Sequence, residues 1–295
     1  MPTLTERVRN PIGTHVLTGK GLAEGAYQNA CKVGAETIQV FCGNPRGWAL
    51  SAGDPRDDRR FRELCAEAQM RVFIHTPYLV NLGSPDPVCY QNSVALVAHN
   101  LKRAAQIGAE GVVVHTGSSV QPGLYDAALR QVRKALLPML DVLDDNSPWL
   151  LLEPTAGQGQ SLCSRVEELA PYLEALNFHP RAGICFDTCH FFAAGEPLDE
   201  PGGTTRALDR IVEIGGPDRL RLVHANDSMD VRGARRDRHE KIGAGHVGVG
   251  AFKELFAHQA LAGVPFILET PGSRTPGDPS TALLRALRSS SADPM

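Results

Sequence analysis

Six short apolar segments of the sequence each end in a side chain that can bind a divalent metal ion. The six terminal residues are His75, His115, Glu153, Asp187, His224 and Glu269. Imidazole and carboxylate groups are ligands that suit zinc, and manganese is favoured where oxygen ligands dominate. The sequence therefore predicts a metal centre if the ends of these segments meet.

A metal ion would also remove an electrostatic problem that this set of residues creates. Taken singly, a buried histidine or glutamate at a strand end is more often a hydrogen-bonded core group than a ligand. Three acids and three histidines at one level are different, because carboxylates that repel one another are costly to bury. Divalent cations among them offset that cost, so the complete set indicates metal binding more strongly than any one member.

Two loop segments add further ligand types at short spacing. Asp187 is followed three residues later by His190, and Asp237 is followed two residues later by His239. Each spacing is a weak motif on its own. If both loops lie above the six strand ends, His190, Asp237 and His239 would complete another metal site.

The elements that must position these residues are strands that alternate with helices. Short β-branched runs alternate with stretches in which apolar residues such as Val94, Val97 and Leu101 recur at helical spacing. The eight runs lie at 12–16, 36–42, 71–75, 111–115, 149–153, 182–187, 220–224 and 265–269. This pattern predicts an α/β fold, the (β/α)₈ or TIM barrel, in which the carboxyl ends of all strands converge on one face.

The length and composition favour one globular domain. The 295 residues and 42% hydrophobic content can bury one large core, so the sequence predicts a single TIM-barrel domain over residues 1–295. Frayed ends are expected at about 1–10 and 289–295. The segment 1–16 has no apolar stretch behind a basic head, so neither a signal peptide nor a membrane partner is expected.

The cysteines and the charges give two further expectations. Seven scattered cysteines favour a reducing, cytoplasmic location, and Cys185 and Cys189 are interpreted as packing residues. A formal net charge of −3 argues against binding a polyanion by bulk electrostatics. A polyanion would therefore have to be bound locally. The candidate is the segment 232–241, which holds five basic residues and two acids, and a solvated loop is the alternative interpretation.

An ordered series of motifs runs through most of the chain. They are GTHV at 13–16, FIHTPYLVNLGSP at 73–85, VVHTGS at 113–118, EPTAGQG at 153–159, CFDTCHFFAAG at 185–195, VHANDS at 223–228, DRHEKIGAGHVG at 237–248 and ILETPG at 267–272. In this series the sequence resembles, essentially from Gly13 to Glu269, the endonuclease IV family of apurinic/apyrimidinic endonucleases.

The resemblance implies three zinc ions held by nine residues, with manganese possible in some sites. His75, His115 and Glu153 would hold the first ion. Glu153 would also bind the second ion, together with Asp187, His224 and Glu269. His190, Asp237 and His239 would hold the third. Every one of these positions carries the residue type that the family uses.

The resemblance also implies a reaction and a partner. The family hydrolyses the phosphodiester 5′ to an abasic site in double-stranded DNA, and Glu153 and Glu269 are the expected catalytic residues. Arg46, Tyr78 and Leu79 match the side chains that the family inserts into the duplex. From its charge, the basic segment 232–241 is expected to neutralise flanking phosphates, with Arg236 and Arg238 as contact residues, and a monomer would suffice for this task.

One departure and two alternatives remain. Pro154 stands where the family commonly has asparagine, and proline removes a backbone donor beside the shared glutamate. His15 and Asn226 lie at the expected rim and are candidates for supporting or substrate contacts. A sugar isomerase or epimerase of the xylose isomerase type would use only part of the ligand set, and a metal-stabilised binding scaffold without catalysis is the other alternative.

Overall fold

Eight parallel strands form a closed barrel in the computed structural model, which describes residues 10–291. The barrel strands are β1 (Ile12–His15), β2 (Thr37–Val40), β3 (Arg71–His75), β4 (Gly111–His115), β5 (Trp149–Glu153), β6 (Ala182–Asp187), β7 (Leu220–His224) and β10 (Phe266–Leu268). A separate short hairpin consists of β8 (Asp227–Ser228) and β9 (His239–Glu240). Parallel pairing of Ile12 with Phe266 closes the barrel between β1 and β10. The predicted TIM barrel is confirmed, and all eight predicted runs contain its strands.

Helices connect successive strands on the outside of the barrel. They are α1 (Gln28–Val33), α2 (Pro55–Glu67), α3 (Pro87–Ile107), α4 (Tyr125–Leu140), α5 (Leu169–Ala175), α6 (Thr188–Ala194), α7 (Gly203–Gly215), α8 (Val249–Ala257) and α9 (Pro279–Ser291), with a π-helical segment at Leu22–Tyr27 and 3₁₀ turns at Val166–Glu168, Pro217–Arg219 and Gln259–Leu261. Asp54 and Asp86 cap α2 and α3, and in each helix a proline follows the cap. These are strong start signals, because the side chain accepts from an otherwise unpaired backbone N–H.

The interior of the barrel is filled by one apolar side chain from each of six strands. These side chains are Phe73, Val113, Leu151, Cys185, Leu222 and Ile267. The neighbouring positions on each strand, such as Leu150 and Leu152 on β5, point the other way and join the larger core under the helices. Because successive inward positions are two residues apart, the next inward position above the apolar layer is the terminal residue of each predicted run.

The short hairpin of β8 and β9 was not predicted from the sequence. Its two antiparallel strands enclose the basic segment and carry His239 at their end. Two-residue strands hold no periodic pattern, so no sequence signal marks them.

The chain ends differ in part from the expected fraying. Asn10 is buried and donates to the carbonyls of Leu261 and Val264, and Ser289–Ser291 complete α9. The rest of both predicted frayed ends, residues 1–9 and 292–295, lies outside the described part of the chain. Between residues 10 and 291, the structure has no helix that combines the length and apolarity needed to span a bilayer.

Candidate metal centre

The first cluster of candidate ligands joins the ends of β3, β4 and β5. Nε2 of His75 lies 3.0 Å from Oε2 of Glu153, and Nε2 of His115 lies 3.3 Å from the same oxygen. His75 and Glu153 are buried, whereas His115 is partly exposed toward the barrel mouth. One carboxylate oxygen is therefore shared by two imidazoles from neighbouring strands.

The second cluster surrounds His224 at the end of β7. Its Nδ1 lies 2.8 Å from Oε1 of Glu153, 3.4 Å from Oε2 of Glu269 and 3.7 Å from Oδ2 of Asp187. Glu153 therefore contributes one oxygen to each of the first two clusters. Three carboxylates converge on one buried imidazole nitrogen, which is the arrangement predicted for the second site.

The third cluster combines the first turn of α6 with the hairpin. Asp187 caps α6 by accepting from the backbone N–H of His190, which fixes the start of the helix that carries His190. Nε2 of His190 lies 3.3 Å from Oδ1 of Asp237, and Nε2 of His239 lies 3.0 Å from the same oxygen. The two short loop motifs thus meet at one carboxylate.

Buried acids and imidazoles compensate one another in these clusters. Burial alone would raise the pKa of Glu153, but the charges of His224 and His115 outweigh it and hold the pKa well below its usual range. Burial likewise acts to lower the pKa of His190, yet Asp187 and Asp237 raise it well above the usual value. Protonated imidazoles therefore neutralise the carboxylates in the metal-free protein, a role that divalent cations can take over.

The donor set fits divalent metal ions. Nε2 of His239 is buried without a hydrogen-bond partner, although Oδ1 of Asp237 lies 3.0 Å away and Oδ2 of Asp187 lies 3.8 Å away. Three sets drawn from the nine predicted residues have ligand atoms within 4.8 Å of one another. A nitrogen close to two carboxylates, but not aligned with either for a hydrogen bond, suits a shared cation.

Two buried thiols also lie near these atoms. Cys185 belongs to the apolar layer inside the barrel, and burial raises the pKa of its thiol to about 12. Cys189 is buried on α6, and burial raises the pKa of its thiol as well. Both groups therefore stay protonated in the metal-free protein, which agrees with a packing role.

Several hydrogen bonds orient the candidate ligands. Nδ1 of His75 lies 2.7 Å from the carbonyl oxygen of Thr76, so this nitrogen donates and Nε2 faces the cluster. Asn226 is fully buried; its Nδ2 donates to Oδ2 of Asp187 at 2.8 Å, and its Oδ1 accepts from the backbone N–H of Glu269 at 2.9 Å. Asn226 thus links two candidate ligands from a buried position, and it does not line the cavity at the rim where it was expected. Such partners fix ligand orientation and are commonly as important as the ligands.

The three clusters open into a cavity of about 760 Å³ at the carboxyl ends of the strands. Arg46 and Tyr78 line it, together with Arg274 from the loop after β10. Arg274 was not predicted as a site residue, because a single arginine in a glycine- and proline-rich loop has no distinctive sequence pattern. The cavity thus combines candidate metal ligands with two arginines, Arg46 and Arg274.

Sequence and structure comparisons identify the relatives of this chain. A family model described as a xylose isomerase-like TIM barrel matches residues 27–290. The chain is 50% identical over 281 residues to a probable endonuclease 4 of Streptomyces coelicolor, with 95% of this chain and 96% of that protein covered. This chain belongs to the endonuclease IV family. The crystal structure of endonuclease IV from Thermus thermophilus superposes with a TM-score of 0.80 at 35% identity, covering 95% of this chain and 98% of that one.

More distant structures share the endonuclease IV barrel only as a fold. A D-tagatose 3-epimerase-like protein has a TM-score of 0.71 but 18% identity, over 95% of this chain and 98% of that chain. At this level of identity the likeness concerns the arrangement of strands and helices. It carries no information about the substrate.

The site residues predicted from the sequence fall into two groups. All nine predicted metal ligands lie in the three clusters, and Arg46 and Tyr78 line the cavity above them. Leu79 is 36% exposed beside Tyr78. Arg236 and Arg238 lie on the exposed hairpin segment, and both are near Asp230, to which Arg238 donates two hydrogen bonds. The hairpin arginines are therefore outside the cavity, and both form an ion pair with Asp230, although only Arg238 lies at hydrogen-bond distance from it.

Proposed function

We propose that this chain is a zinc-dependent DNA repair endonuclease that hydrolyses the phosphodiester 5′ to an abasic site, leaving 3′-hydroxyl and 5′-deoxyribose phosphate ends. The observation that carries the proposal is the convergence of nine imidazole and carboxylate side chains at one barrel mouth. The curated relatives named probable endonuclease 4 and the solved endonuclease IV support the coarser part, a nuclease that acts on DNA. Zinc, the product ends and the site residues are the finer part of the proposal.

The three clusters would hold three ions, with Glu153 shared by the first two. Zinc is the metal proposed for all three, and manganese is the alternative where carboxylate oxygens dominate. Divalent ions bound there supply Lewis acidity, lower the pKa of water and balance the charge of a phosphodiester. With three such ions the formal charge of the protein would change from −3 to about +3, all at the substrate face.

The chain itself contributes orientation and charge. Glu153 and Glu269, the proposed catalytic residues, have their pKa values held below the usual range by neighbouring histidines, so both are carboxylates at neutral pH. The hydrogen bonds from His75 to Thr76 and from Asn226 to Asp187 hold ligands in place before any substrate arrives. Such preorganisation means that the protein need not rearrange during the reaction.

The rim supplies the proposed DNA contacts. Tyr78 is 57% exposed, and its backbone N–H donates to the carbonyl of Pro45 at 3.0 Å, which ties its loop to the loop that carries Arg46. Insertion of Arg46, Tyr78 and Leu79 into the base stack would favour extrusion of an abasic nucleotide, which has no base to unstack. Arg236 and Arg238 would contact phosphates flanking the lesion.

The test is an incision assay on a duplex with one tetrahydrofuran abasic analogue. Zinc-loaded protein is expected to cut on the 5′ side and leave a 3′-hydroxyl that a DNA polymerase extends. Exhaustive removal of metal should stop the reaction, and zinc should restore it. Activity that persisted without metal, or a product that a polymerase could not extend, would overturn the proposal.

The same preparation separates the two alternatives. A sugar isomerase would interconvert an aldose and a ketose in a metal-dependent manner and leave the duplex intact. A binding scaffold would transform neither substrate. An intact duplex of the same sequence without the lesion is the matched control for the nuclease.

A further inference from the structure

Gln39 joins two candidate metal ligands although it is not one of them. It lies on β2, is fully buried and points into the barrel, and it pairs with His15 of β1 on one side and with Phe73 of β3 on the other. Nε2 of Gln39 lies 2.8 Å from Oε1 of Glu269. Oε1 of Gln39 lies 2.8 Å from Nε2 of His224. One amide therefore bridges a carboxylate and an imidazole of the second cluster.

The chemistry of the partners fixes the direction of both hydrogen bonds. A carboxylate only accepts, so the amide nitrogen of Gln39 must face Glu269 and its oxygen must face His224. An amide oxygen also only accepts, so Nε2 of His224 must carry a hydrogen. The orientation of the amide thus determines which nitrogen of His224 is available as a ligand.

The remaining ligand atoms point to one place. With Nε2 of His224 donating to Gln39, Nδ1 is the nitrogen that faces Glu153, at 2.8 Å, and Glu269, at 3.4 Å. With Oε1 of Glu269 held by Gln39, Oε2 is the oxygen that faces His224. Nδ1 of His224 and Oε2 of Glu269 are therefore the atoms left to bind an ion, and they face each other in the second cluster.

We infer that Gln39 is a positioning residue that fixes the tautomer of His224 and the rotamer of Glu269 for a divalent ion in the second cluster. The inference rests on the proposed function only in assuming that zinc binds there. A second contact strengthens it, because Nε2 of Gln39 also lies 3.0 Å from Nδ1 of His15, so His15 holds the amide from the adjacent strand. Partners of this kind typically change metal affinity by about 10- to 100-fold when they are removed.

The variant Gln39→Met tests the inference, since methionine has the same length and neither hydrogen bond. The matched control is Thr37→Val on the same strand and the same inward face, where the hydroxyl donates to the carbonyl of Arg71 at 3.0 Å. Zinc-loaded proteins are titrated with a competing chelator without DNA, and retained zinc is measured by mass spectrometry. Gln39→Met should release its weakest ion at a roughly 10- to 100-fold lower chelator concentration than wild type, and Thr37→Val should match wild type.

A second measurement uses the wild type and does not depend on how a variant folds. Nitrogen-15 spectra of zinc-loaded protein with labelled histidine should show His224 with its hydrogen on Nε2, the signal being assigned by its loss in His224→Gln. A hydrogen on Nδ1 would overturn the inference, as would identical zinc release by folded Gln39→Met and wild type. Wild type without zinc affinity would overturn both proposals, whereas zinc binding as expected without incision would overturn only the proposed function.

Discussion

The carbonyl oxygen of Pro154 lies 3.0 Å from Nδ1 of His190. A carbonyl only accepts, so His190 donates through Nδ1 and presents Nε2 to Asp237. The endonuclease IV resemblance places asparagine where this chain has proline. The group that orients His190 belongs to the backbone and is retained by proline, so the departure leaves this contact intact.

Pro154→Asn should therefore have little effect on metal binding by the third cluster. The backbone carbonyl stays, and the added N–H is not needed by His190. The loss of zinc affinity should be far smaller than the roughly 10- to 100-fold that follows removal of an orienting partner. Chelator competition measures this, with His190→Ala as the variant that must lose an ion. A large loss in Pro154→Asn would mean that the proline ring itself shapes the site.

Glu153→Gln and Glu269→Gln should each abolish incision while the barrel stays folded. Glu153 contributes oxygens to two clusters and Glu269 to one, so Glu153→Gln should lose more bound zinc. Incision should fall by more than the roughly 100-fold that loss of an orienting partner can cause. The control is Glu110→Gln, which removes the exposed ion pair with Arg71. Circular dichroism and unfolding curves check the fold, and full incision by either site variant would remove that residue from the proposed mechanism.

Zinc binding should release protons at neutral pH. Although burial alone would lower it, Asp237 and Asp187 raise the pKa of His239 from 6.5 to about 9 in the metal-free protein. The stability that this imidazolium gives the metal-free fold is complete below pH 6.5 and is lost as the pH rises through about 9. Zinc binds neutral imidazole, so its apparent affinity should increase between pH 7 and about 9.

Calorimetry in two buffers of different ionisation enthalpy measures that release. The heats of zinc binding should differ between the buffers at pH 7 and differ less at pH 9. His99→Asn is the control, because His99 is half-buried on α3, bonds to the carbonyl of Ser51 and belongs to none of the three clusters. Equal heats in both buffers at pH 7 would contradict the prediction.

Arg236→Ala should lower the salt dependence of binding to an abasic duplex, because Arg236 is proposed to contact a phosphate flanking the lesion. Each lost phosphate contact reduces the slope of log K against log salt by about 0.9. Arg238→Ala should have a smaller effect, since Arg238 donates to both oxygens of Asp230 and must leave them to reach DNA. Fluorescence anisotropy over a series of salt concentrations measures the slopes in a Glu269→Gln background. Arg210→Ala, on α7 between Glu167 and Glu213, is the control.

Tyr78→Ala should impair opening of the duplex, whereas Tyr78→Phe should keep it. The exposed ring is proposed to stack on a base beside the lesion, and such stacking contributes about 1–3 kcal/mol per base. A 2-aminopurine base next to the abasic analogue reports unstacking by its fluorescence. Equal fluorescence changes with wild type and Tyr78→Ala would place the ring outside the duplex.

The sequence was most informative where chemistry and strand pattern coincide. Five of the eight barrel strands, including β5 from Trp149 to Glu153, have the predicted bounds, because each of these apolar runs stops at a polar residue. Gln39 was missed, since one polar residue inside an apolar run looks like an ordinary alternation. The pairing of Arg238 with Asp230 could not be predicted from the sequence either, because it depends on the unpredicted hairpin.

Successive side chains of each barrel strand point alternately into the barrel and toward the helices, and this limits which insertions and deletions the protein can tolerate. In β5 the side chain of Leu151 fills the barrel and that of Glu153 serves the mouth, with Leu152 facing the helices between them. Deleting or inserting one residue within a strand would exchange these faces, putting a carboxylate under a helix and leucine at the mouth. Length changes should therefore be tolerated in the connecting loops, whereas the parity of each strand must be preserved for the mouth to keep its composition.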